Sequence, residues 1–146
     1  MITIDSREKP DKIKHITSYF DAVGQPYIRS KLYTGDYTLT HNQTIVIDRK
    51  QSLLELAGNL CKQHDRFRRE AQRAIEIGAK FVVLVEEDIT LNGVREWQHK
   101  RSQVKGEILA KIMATMAEKY QIKWEFCRKA DTPKKIINIL KENLST

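Results

Sequence analysis

Phe81-Val82-Val83-Leu84-Val85 runs without a polar interruption between Lys80 and Glu86. A strand turns successive side chains to opposite faces, so an apolar run that does not alternate must be covered on both sides. Helical periodicity precedes this run and ends at Gly78, and helical periodicity follows it. A sheet lying between two helix layers is the arrangement that satisfies this pattern. With 146 residues, a chain can bury about two-thirds of its unfolded surface around such a sheet. The expectation is one domain over residues 1–146.

The rest of the sequence fits this frame. A short apolar run, Met1 to Ile4, delivers Asp5-Ser6-Arg7-Glu8 to its end, and Pro10 bars a continuing central strand. Ile13, Ile16, Phe20 and Val23 recur at helical spacing up to Gly24. Residues 27–33, 37–40 and 44–48 read as three neighbouring strands in a meander, divided by Thr34-Gly35 and His41-Asn42. Helices follow over 52–60 and 65–77, with Asp65 as N-cap and Gly78 as the stop. Residues 87–102 are polar and irregular and read as the most mobile stretch. A helix over 104–120, a strand over 122–127 and a last helix from Thr132-Pro133 complete the order, with Ile136, Ile137, Leu140 and Leu144 on the buried side of that helix. The fold class is α/β: a mixed central sheet with helices on both faces, its last helix-linked strands parallel.

Charge narrows the partners. Twenty-six Lys and Arg against 19 Asp and Glu give a formal charge of +7 and a pI near 9.4, which favours a polyanion, nucleic acid ahead of a membrane surface. No apolar run approaches the roughly 18 residues of a membrane span, and the N-terminus lacks the regions of a signal peptide. Cys61 and Cys127, far apart in apolar stretches, read as reduced, partly buried thiols rather than a disulfide or zinc site. The expected location is the cytoplasm. His15, His41 and His64 lack metal-ligand spacing and read as surface residues.

The chemistry gathers at Asp36, Asp48 and Lys50. Asp48 and Lys50 are two apart on a strand and share a face, and a hairpin would bring Asp36 beside them. Taken singly, Gly35-Asp36 is a common turn and Asp48-Arg49-Lys50 an ordinary solvated strand end. Their setting argues for more. Ile45-Val46-Ile47 leads straight into the three charges, and Leu53-Leu54-Glu55-Leu56 follows, so the charges are expected to be partly enclosed, which is costly unless they are paired or hold a metal. Two carboxylates for a hard divalent cation, with an ammonium alongside, are the minimum apparatus for phosphodiester hydrolysis.

Asp5-Ser6-Arg7-Glu8, Gly35-Asp36, Asp48-Arg49-Lys50, Arg66-Phe67 with Arg73, and Leu84-Val85-Glu86 occur in the order and approximate spacing of one family. Along its whole length the chain resembles the XPF-type structure-specific nuclease domain, a branch of the PD-(D/E)XK nucleases. The resemblance implies a restriction-endonuclease-like α/β/α sandwich and a magnesium- or manganese-dependent endonuclease acting on branched DNA (flap, fork or junction), in repair or recombination. By position it makes Asp36 and Asp48 the metal ligands, Lys50 the residue that positions water and stabilises phosphate charge, and Asp5 a further catalytic acid. Arg7 and Arg49 would contact phosphate, and Glu8 would be an outer acid.

Three positions depart from the family pattern. Asp48 stands where Glu is usual, Leu54 where an acid often follows the lysine by four, and Glu70 where Gln is common. A one-residue shift turns a helical side chain by about 100°, which makes Glu55 a doubtful replacement for that acid. These departures fit a distant bacterial or viral branch, and they motivate an alternative: a catalytically inactive nuclease-fold subunit that binds DNA or acts as a scaffold.

DNA contacts are expected from Arg66, Arg69 and Arg73, a single stripe on their helix opposite Phe67, Ala71, Ala74 and Ile75, and from Lys100 and Arg101. The stripe also suits a solvated face paired with Glu70 and Glu76. Trp97 suits either base stacking or the edge of the core. Ile108, Leu109, Ile112, Met113, Met116 and Tyr120 form an apolar face that reads as core, part of which could serve a homodimer. Family members carry this domain beside helix-hairpin-helix units or a helicase, so a separate DNA-binding or helicase partner is the other expectation.

Overall fold

The structure, a computed structural model, describes residues 1–142. Six strands form one sheet in the order β2-β1-β3-β4-β5-β6. They are β1 (Ile2–Asp5), β2 (Tyr27–Ser30), β3 (Tyr37–Leu39), β4 (Asn42–Lys50), β5 (Lys80–Val85) and β6 (Lys123–Phe126). The helices are α1 (Lys14–Val23), α2 (Leu53–Cys61), α3 (His64–Glu76), α4 (Gly106–Tyr120) and α5 (Thr132–Glu142). No helix among the described residues is long and apolar enough to cross a membrane.

Strand alternation divides the interior in two. Val46, Phe81, Val83 and Val85 pack with Leu56, Phe67, Leu109 and Met113 from α2, α3 and α4. Ile45, Ile47, Val82 and Leu84 pack on the other face with Ile16 and Phe20 of α1 and Ile136 and Leu140 of α5. The uninterrupted run of β5 is thus buried on both sides, between β4 and β6, and both neighbours are parallel to it. This is the expected mixed α/β/α sandwich.

The meander is corrected. β3 and β4 pair antiparallel, but β2 lies at the sheet edge, parallel to β1, which separates it from β3. The α1 crossover between β1 and β2 makes that parallel pairing possible. Gly35-Asp36 therefore leads into β3. Smaller differences follow from packing. Val23 and Ile75 are exposed, and Cys61 is exposed although it was expected to be partly buried. Asp65 lies inside the first turn of α3, whose N-cap is Gln63. Val94, fully buried in a 3₁₀ turn at Asn92–Glu96, anchors the irregular segment before α4. On α5, Ile136 and Leu140 are buried and Ile137 is partly buried, while Leu144 lies outside the described residues.

Candidate nuclease site

The end of β4 builds the site. Asp48 and Lys50 continue the Val46 face toward α2 and α3, while Arg49 continues the Ile45–Ile47 face. Because β3 runs antiparallel and Tyr37 is opposite Ile47, the residue before β3, Asp36, falls beside Asp48. Gly35 makes this approach possible. It has φ +75°, and a Cβ there would lie 2.0 Å from Val46 Cγ1, so a side chain is excluded by both conformation and space. Asp36 is then fixed by its backbone N–H to Ile47 O at 2.7 Å, and by its Oδ2, which accepts from the Arg49 N–H at 2.8 Å.

These groups sit in a cleft of about 280 Å³ lined by Glu8, Asp36, Asp48, Arg49, Lys50, Glu55, Arg66, Phe67 and Glu70, among others. Lys50 Nζ is 3.1 Å from Asp48 Oδ2, and both side chains are largely buried. That oxygen receives no well-directed hydrogen bond among the described residues. Burial, then the charges of Asp48 and Glu8, push the Asp36 carboxyl well above the usual carboxylate range. Glu70 is raised as well, by burial and then by Asp48. Burial works against the Lys50 ammonium, but Asp48, Asp36 and Glu55 outweigh it and hold its pKa above the usual lysine value. Lys50 is a permanent cation at neutral pH, and the Phe67 ring lies 5.7 Å from its Nζ.

Asp5 goes elsewhere. Its buried carboxylate accepts from Leu32 N at 2.9 Å and from Arg7 Nε at 2.8 Å, tying down the chain after β2, and it does not line the cleft. Arg7 is engaged with Asp5 and Leu32 O. Arg49 is buried rather than offered to a phosphate. It donates to both oxygens of Glu8, at 2.8 and 3.0 Å, and to Glu86 at 2.5 Å. Tyr37 OH also donates to Glu8. Of the basic residues, Arg66 lines the cleft, Arg69 is exposed beyond it, and Arg73 stacks 5.9 Å from the Tyr33 ring. Arg101 lines a separate hollow on the other side of α2, and Lys100 is exposed beside it. Trp97 is partly buried against the core.

Glu55, Glu70, Glu86 and His15 take places here that their sequence positions did not assign to them. Glu55 faces the cleft while Leu54 lines the hollow beyond α2. The Ser52 cap sets this rotation: its Oγ accepts from Glu55 N at 3.1 Å, and Glu55 Oε2 accepts from Gln51 N at 2.9 Å. The Ser-x-x-Glu spacing is the signal that could have revealed it. Glu70 reaches the cleft from α3. Glu86 is buried between Arg49, His15 and Thr132, and His15 is therefore no free surface residue.

The ERCC4 domain family model matches residues 4–140. The chain belongs to the ERCC4 domain family. Its fold is similar to XPF from Aeropyrum pernix, with a TM-score of 0.72 and 21% identity over 98% of this chain. The complex of that archaeal XPF with DNA gives 0.70 and 20% over 99%. In both comparisons the chain spans 64% of the archaeal chain. No curated protein matches. The family resemblance read from the motifs is thus met by the ERCC4 domain model, and the expected fold by that of the archaeal XPF.

Proposed function

We propose that this ERCC4 domain is a divalent-metal-dependent endonuclease that hydrolyses a phosphodiester in branched DNA. The observation that carries the reading is the meeting of Asp36, Asp48 and Lys50 on the floor of one polar cleft. Among the described residues no three His, Cys, Asp or Glu side chains form a ready cation cage. A pair of carboxylates nevertheless suits Mg²⁺ or Mn²⁺, because magnesium keeps several waters and takes substrate phosphate oxygens as further ligands. The buried Asp48 Oδ2, ion-paired to Lys50 but without a well-directed hydrogen bond among the described residues, and the crowded charge of Asp36 fit such an ion. When bound, it would polarise the scissile phosphate and lower the pKa of a water.

The protein groups then have distinct tasks. Asp36 and Asp48 would hold the cation. Lys50, charged and supported by Phe67, orients water and offsets negative charge developing on the phosphate. Arg66 supplies a phosphate contact at the cleft wall. Arg69, Arg73, Lys100 and Arg101 extend the basic surface for a DNA backbone. The DNA-bound state of the archaeal XPF supports a nucleic-acid partner. Recognition of a branch would draw on a second copy, for which Ile108 is the exposed part of the α4 apolar face, or on a separate DNA-binding or helicase partner.

The reading is tested with labelled flap, fork, Holliday and linear DNAs, with and without Mg²⁺. The wild type should cut a branched substrate only with the metal, and Asp48→Asn should bind without cutting. An inactive scaffold, the reading that Asp48 and Leu54 favour, would bind branched DNA and cut none under any metal.

A further inference from the structure

Arg49 projects from the end of β4 on the Ile45–Ile47 face, and what holds its guanidinium there is a group of residues distant in sequence. Glu86 follows β5 on the Val82–Leu84 face, under α1 and α5. Its Oε1 accepts from Arg49 Nη1, while its Oε2 is 2.6 Å from His15 Nε2 of α1 and accepts from Thr132 Oγ1 of α5 at 2.7 Å. The side chains of Glu86 and Arg49 are 1% and 3% exposed, so the pair is shielded from solvent. The rest of the Arg49 guanidinium grips Glu8 at the cleft wall, and the Arg49 backbone N–H holds Asp36. One arginine is thus shared between an acid inside the cleft and an acid behind it.

We infer that Glu86, anchored by His15 and Thr132, is a positioning residue for the cation site, acting through Arg49. Two effects follow from the geometry. Glu86 fixes the guanidinium that grips Glu8 at the cleft wall, and with it the Arg49 backbone whose N–H holds Asp36 Oδ2. Its charge also compensates Arg49, so that the Glu8–Arg49–Glu86 group leaves the cleft net negative. Removing the Glu86 charge would leave Glu8 and Arg49 as a neutral pair, so the cation site would lose one negative charge of its surroundings. His15 and Thr132 make this a junction at which the packing of α1 and α5 reaches the cleft.

The inference rests on the metal-dependent reading, and a binding experiment without DNA separates the two. Mn²⁺ is titrated calorimetrically into the wild type, Glu86→Gln, Thr132→Val and the Arg49→Met/Glu86→Gln pair, with melting temperatures recorded metal-free. Glu86→Gln should weaken Mn²⁺ binding about three- to tenfold, the scale of one charge acting across a partly buried site. Thr132→Val should shift it less in the same direction, and Glu86→Gln should add nothing in the Arg49→Met background. A purely structural Glu86 would lower the melting temperature and leave Mn²⁺ affinity unchanged. That result in Thr132→Val and in Glu86→Gln would overturn the inference alone. If Glu86→Gln does not fold, an unchanged affinity in Thr132→Val overturns it. Absence of Mn²⁺ binding in the wild type would overturn both it and the metal-dependent reading.

Discussion

Asp36 is the residue on which charge and geometry press hardest. Its pKa is raised from an ordinary 3.8 by burial, Asp48 and Glu8, so ionising it costs stability in the metal-free fold. That cost is absent below the unfolded value and complete above the raised folded one; between them, stability contributed by Asp36 falls as pH rises. A divalent cation relieves the cost but must displace the proton. Mg²⁺ should therefore raise the melting temperature more at pH 8 than at pH 5, and EDTA should reverse the gain, as thermal-shift measurements can show. A gain independent of pH would remove Asp36 from the site. Lys50→Met, which deletes the permanent cation, should lower single-turnover cleavage about 10²- to 10³-fold, the scale of losing one group aimed at transition-state charge, with DNA affinity little changed. Asp48 and Lys50 were legible in sequence because period-two alternation places them together. Glu70 and Glu86 were not, since only tertiary packing brings α3 and the end of β5 to them.

At the scale of elements, the β3–β4 hairpin and the start of α2 set the cleft. Gly35→Ala combines a left-handed φ with a Cβ inside contact distance of Val46. Urea denaturation should show a loss of about 2–4 kcal/mol, conformational strain and overpacking together. Ser52→Ala removes the cap of α2 and should cost about 1 kcal/mol, with Glu55 losing its fixed direction into the cleft. The strands and helices themselves were readable from periodicity, apart from the placement of β2. Its residues look like any edge strand, and pairing with β1 rather than β3 depends on a crossover whose path no local pattern encodes. The α2 register was misjudged for a related reason: the rotation of a helix follows from its cap and from the faces it packs on, and counting from Lys50 ignores both.

For the whole molecule, two cores on opposite sides of one sheet leave the strand ends as the place where charges can meet. The layered fold and its family were therefore legible from the apolar run of β5 and the spaced motifs, whereas the division of labour among the acids required the folded chain. With a formal charge of +7 and arginines around an acidic cleft, the proposed DNA binding should weaken with salt. Arg66→Ala should lower affinity and reduce the slope of log K against log salt by about one, measured by fluorescence anisotropy. The most direct test of the central claim is single-turnover cleavage of a labelled flap by the wild type and Asp48→Asn, with Mg²⁺ and with EDTA. Cleavage only by the wild type and only with Mg²⁺ is the result expected; equal cleavage by Asp48→Asn, or by the wild type in EDTA, would contradict it.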